Sequence, residues 1–135
     1  MSQRPRFTLA RLPLIWLAAG TLLAACGDGG DKKLIAQGEQ IFQQQCTICH
    51  AISSQQFGMT GPYLGGIVGR KAAAAENFAY SDAFAAADFV WDEARLDAYL
   101  AEPLKVVPGN AMGFFGMPDA DARKALVAYL AQTKK

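Results

Sequence analysis

At 135 residues, with 19% charged side chains and a formal charge of +1, the chain has room for one small domain. It carries neither a basic stripe nor a run of like charge, which argues against nucleic acid as a partner. A single histidine excludes any site that takes two imidazoles from one chain.

The chain opens with Arg4, Arg6 and Arg11 and then an uncharged apolar run over 12–25 that ends in small residues, the layout of a secretory signal. The run is short of the roughly twenty residues a membrane-spanning helix needs, and no later stretch is long and apolar enough to be one. Residues 1–25 are therefore expected to be an export signal. Leu23-Ala24-Ala25-Cys26 resembles the lipobox of bacterial lipoproteins, in which cleavage precedes an acylated cysteine. An ordinary small-residue cleavage site followed by a cysteine is the alternative. The position of the match, at the end of the apolar run and before Gly27-Asp28-Gly29-Gly30-Asp31, favours lipidation of Cys26 and a flexible tether over 26–31. Acyl chains worth roughly 0.8 kcal/mol per buried methylene would hold the protein at a membrane surface. Loss of the three arginines takes the formal charge from +1 to −2.

The domain proper is expected over 32–135. Leu34, Ile35, Gly38, Ile41 and Phe42 recur at helical spacing and predict an amphipathic helix over 32–45. It leads into Cys46-Thr47-Ile48-Cys49-His50. From 51 to 80 glycine is frequent, Pro62 interrupts, and no period emerges apart from an alanine run over 72–75, so the region reads as ordered loop. Asp92 can cap a second helix that buries Leu96, Tyr99 and Leu100 and stops before Pro103. Asp119 can cap a third, with Ala122, Leu126, Tyr129 and Leu130 on one face and Lys134 and Lys135 at its C-terminal end. Three helices and such long loops make a poor core, so a buried flat cofactor is expected to fill the middle.

The cysteine motif identifies that cofactor. Two thiols at this spacing can bond the two vinyl groups of one haem while the next residue, His50, reaches the iron, which is the c-type attachment pattern. A thioredoxin-like pair would need a larger, strand-rich fold, a zinc site would need a fourth ligand, and chance is the third alternative. With Cys26 acylated and Cys46 and Cys49 on haem, no structural disulfide is expected. The far side of the iron is left to a methionine, a lysine, a small molecule or nothing, and a methionine sulfur raises the reduction potential. Met1 leaves with the signal and Met59 lies in a loop needed on the histidine side. Met112 follows the turn-forming Pro108-Gly109-Asn110-Ala111 and is the first choice, with Met117 the second.

Over 32–135 the sequence resembles class I cytochrome c, close to the mitochondrial type. Gly38 and Phe42 match the glycine and aromatic residue of the family's first helix, and Gly61-Pro62-Tyr63-Leu64-Gly65-Gly66 matches its loop after the attachment site. The resemblance implies an all-α fold of three main helices and long loops around one covalently attached haem. It assigns Pro62 the carbonyl that orients His50, and Arg70, Tyr80 and Trp91 the surroundings of the inner propionate. Tyr99 and Leu100 become the middle-helix residues beside the haem, Met112 the axial methionine and Phe114 the aromatic residue shielding it. Leu126, Tyr129 and Leu130 fall on the last helix, which crosses the first. Two departures stand out: Phe84 replaces an asparagine of the haem-side polar network, and Asn110 replaces a threonine near a propionate.

The expected function is one-electron transfer by a monomeric, monohaem protein, not an enzyme, because two sound axial ligands leave no position for substrate. The resemblance suggests a quinol-oxidising complex as donor and a haem-copper oxidase as acceptor, while the export signal and the lipobox-like segment ending in Cys26 place the protein on the periplasmic side with a lipid anchor. The family's ring of lysines is missing, so contacts with these partners should be less charge-steered. The rival is a haem enzyme or gas-binding sensor with an open sixth position. A subunit of a larger membrane complex is a second rival.

Overall fold

The computed structural model describes residues 28–55 and 59–134; the expected export signal and Cys26 lie outside them. The described chain is helical, with α1 at Asp28–Ile41, α2 at Asp82–Ala85, α3 at Glu93–Ala101, α4 at Pro103–Val106 and α5 at Ala120–Gln132. No strand occurs among the described residues, in keeping with the all-α class expected. None of their helices is long and apolar enough to cross a membrane.

Helix α1 begins at Asp28, so residues 28–31, expected as tether, form its first turn. Its last turn widens into a π-helical segment over Phe42–Cys46, closed by the Thr47 N–H donating to the Phe42 carbonyl at 3.2 Å. Such a bulge inserts an extra residue into a turn and re-aims the chain beyond it, here the cysteine motif. The Asp92 side chain accepts from the Arg95 N–H at 2.7 Å, and α3 stops at the residue before Glu102 and Pro103, as their chemistry dictates. Asp119 caps α5 through the N–H groups of Asp121 and Ala122 at 2.9 and 3.1 Å.

Two short helices escape the sequence pattern. Pro103 does not merely end α3; it also occupies the first turn of α4, where a missing N–H costs nothing. The excursion that holds α2 is pinched at its base by antiparallel backbone bonds from Gly69 N–H to Trp91 at 2.7 Å and from Trp91 N–H to Arg70 at 2.9 Å. The alanine run over 72–75 is not helical, because Ala73 has a positive φ of 56°.

The core forms where α1 crosses α5. Gly38 lies against the Ala125 carbonyl and the Tyr129 side chain, a distance that leaves no space for a Cβ. Beside it Phe42, 1% exposed, meets Tyr129 with ring centroids 5.6 Å apart. Arg123 ties α5 to α3 through Asp97 at 2.9 Å, and its other arm donates to the carbonyls of Met117 and Pro118 at 2.7 and 3.0 Å. This frame leaves one side of α3 and α5 open.

Candidate functional site

That uncovered side is a cleft of about 350 Å³. Cys46, Cys49 and His50 border it after the π-helical segment, and Met112 borders it from the loop between α4 and α5. Leu96, Tyr99 and Leu100 of α3 and Leu126 and Leu130 of α5 form an apolar wall, joined by Tyr80, Phe84 and Trp91. The aromatic residues of this wall pack on one another, with Tyr80 to Phe84 at 5.8 Å and Trp91 to Tyr99 at 5.2 Å between centroids.

The histidine is held in one orientation. Its Nδ1 lies 2.7 Å from the Pro62 carbonyl oxygen, so the neutral ring donates there and keeps the Nε2 lone pair free for a metal. Gly61 lies flat against the same ring, where any Cβ would overlap it. Burial lowers the pKa of His50, opposed by the bond to Pro62, and so favours the neutral form a metal needs. The Cys46 thiol is pushed up to about 11 by burial and by the neighbouring Cys49.

On the methionine side, the Tyr99 hydroxyl lies 3.2 Å from the Met112 sulfur. Burial pushes that phenol up to about 12, so it stays a donor. Met117 is elsewhere: it is buried in the core, and its N–H donates to the Leu100 carbonyl at 2.7 Å. Met59 does not border the cleft.

Of the ten residues expected around a cofactor, eight border the cleft, and Arg70 and Asn110 do not. Arg70 turns toward the preceding loop. It donates to the carbonyls of Gly65 and Tyr63 at 3.2 and 2.7 Å and stacks 4.6 Å above the Tyr63 ring. Asn110 is buried with its amide spent on the backbone of Pro103 and Val107. Tyr80 borders the cleft while its hydroxyl accepts from the Ala75 N–H at 3.3 Å. Phe114 packs on the core rather than lining the cleft. Sequence reasoning missed Ser81, whose buried hydroxyl borders the cleft without a hydrogen-bond partner. It also missed the contact of Gly61 with His50, for which a glycine just before Pro62 was the available signal.

Likeness to known proteins bears on this arrangement. The family model described as cytochrome c matches residues 35–134. The chain is 42% identical over 98 residues to cytochrome c of Chlamydomonas reinhardtii, covering 73% of this chain and 88% of the relative. It is 39% identical over 118 residues to cytochrome c2 of Rhodomicrobium vannielii, covering 87% and 86%, and 42% identical over 97 residues to cytochrome c2 of Rhodoblastus acidophilus, covering 72% and 90%.

Proposed function

This chain belongs to the cytochrome c family, and from that premise we propose how its residues carry electrons and where they do so. The protein is a monohaem electron carrier, not an enzyme, and its cofactor is one covalently attached haem c. The cleft fits that group. Its wall is apolar, a thiol pair and an imidazole with a free Nε2 stand together at its edge, and the unpartnered Ser81 hydroxyl offers a donor to a carboxylate. When bound, haem c supplies a ferrous–ferric couple.

In our reading Cys46 and Cys49 would hold the haem covalently through its two vinyl groups, and His50 and Met112 would supply the side chains that bind its iron. The observation that carries it is the His50 to Pro62 bond, which fixes the imidazole with the ligating nitrogen unspent. Tyr99 holds a proton near the Met112 sulfur, drawing electron density from it and so favouring the reduced state. Phe84, Trp91, Leu96 and Leu100 keep water away, which favours the less charged ferrous form in the same direction.

We read residues 1–25 as an export signal and Cys26 as a lipid anchor on the periplasmic side. The partners we propose are a membrane-bound quinol-oxidising complex and a haem-copper oxidase, with the tether raising the local concentration.

The test is the visible spectrum of the purified protein, oxidised and dithionite-reduced, with carbon monoxide added to the reduced sample. A low-spin spectrum with a sulfur-to-iron charge-transfer band and no response to carbon monoxide is expected. A high-spin spectrum that shifts with carbon monoxide would replace the carrier with an open-site haem protein.

A further inference from the structure

The resemblance places Asn110 beside a propionate, yet its carboxamide is engaged on every side within the protein. Nδ2 donates to the carbonyls of Val107 at 2.8 Å and Pro103 at 3.2 Å. Oδ1 accepts from the Met112 N–H at 3.0 Å and stands 3.4 Å from the Tyr99 hydroxyl. These neighbours dictate which way the amide points: a flip would set its oxygen against two carbonyls and its NH₂ against an N–H. The residue is 8% exposed, so each of these groups would otherwise be desolvated without a partner.

The placement of the partners gives the contact its meaning. Pro103 and Val107 bracket α4, while Met112 lies two residues beyond Asn110 on a segment without helix or strand. Among the described residues, that segment makes no loop backbone–backbone hydrogen bond between Asn110 N–H, which donates to Val107, and Met117 N–H, which donates to Leu100. The Asn110 side chain therefore supplies the hold on the Met112 backbone, and the Tyr99 hydroxyl lies between its Oδ1 and the Met112 sulfur.

We propose that Asn110 is a positioning residue, a three-point clamp that fixes Met112 for the iron by tying its backbone to α4. This rests on the reading of Met112 as axial ligand. Asparagine suits the task because one planar group offers two donors on one side and an acceptor with two lone pairs on the other. Threonine offers a single hydroxyl and can satisfy only part of the set. Aspartate has the same shape but places a carboxylate oxygen against the Pro103 and Val107 carbonyls.

The experiment uses ferric holoprotein titrated with imidazole, which has to displace the sixth ligand to bind, together with the amplitude of the sulfur-to-iron band. Asn110→Ala and Asn110→Asp are expected to raise imidazole affinity about tenfold or more and to diminish the band, with Asn110→Thr between them and wild type. Asp92→Ala, which removes the cap at the start of α3 and touches no residue of this loop, is expected to lower denaturant stability and leave imidazole affinity unchanged. If Asn110→Ala or Asn110→Asp does not take up haem, Asn110→Thr alone carries the comparison. Wild-type imidazole affinity and an intact band in the Asn110 variants would overturn the clamp. Absence of the band from wild type would instead overturn the Met112 reading beneath it.

Discussion

Nδ1 of His50 lies 2.7 Å from the carbonyl oxygen of Pro62, twelve residues further along the chain, and the intervening Gly61 presses on the face of the same ring. Ring orientation thus depends on a carbonyl and on the lack of a side chain. Gly61→Ala puts a methyl group where the ring stands, so we expect the imidazole to be pushed off the iron. The holoprotein should show a high-spin fraction and bind carbon monoxide when reduced. A wild-type low-spin spectrum in this variant would show that the ring is not so confined.

The two methionines after α4 should respond in opposite ways. Met112 borders the cleft, whereas Met117 is buried in the core. Met112→Ala is expected to abolish the sulfur-to-iron band, admit carbon monoxide and lower the reduction potential. Met117→Ala should keep the band but lose about 2–4 kcal/mol of stability through the cavity it leaves. Loss of the band in Met117→Ala with retention in Met112→Ala would reverse the assignment.

Gly38 meets the Ala125 carbonyl at the crossing of α1 and α5. A methyl group there forces the helices apart, and Gly38→Ala should cost about 2 kcal/mol or more. The measurement is the denaturation midpoint of the holoprotein. A midpoint equal to wild type would mean that the crossing relaxes without loss.

Burial raises the Tyr99 phenol from its ordinary 10.0 to about 12. Between these values the unfolded chain gives up a proton that the folded chain retains, so the unfolded state binds fewer protons and folding weakens as pH rises. The contribution is complete below pH 10 and is lost between pH 10 and about 12. Tyr80 and Tyr129 are raised by burial too and act in the same direction. Unfolding curves from about pH 9 to 11.5 should therefore fall less steeply in Tyr99→Phe than in wild type. Equal slopes would show that Tyr99 ionises as it does in the unfolded chain.

What the sequence determined by itself is what neighbouring residues decide among themselves. The spacing of Cys46, Cys49 and His50 announces the attachment chemistry because those groups act within one short segment. Asp92 and Asp119 mark helix starts because a cap bonds to N–H groups two or three residues on. The apolar faces of α1, α3 and α5 follow from helical period, and with them the all-α class. The short helices α2 and α4 were illegible, since four residues hold no period. Only the tertiary structure decided where long side chains point. Arg70 and Asn110 suit a propionate by type, yet each turns to backbone carbonyls, because a buried donor goes to the acceptor that folding brings nearest. The same holds for Met112 and Met117: both follow turn-forming residues or precede a helix, and which one borders the cleft depends on α3 and α4 packing beneath the loop between them.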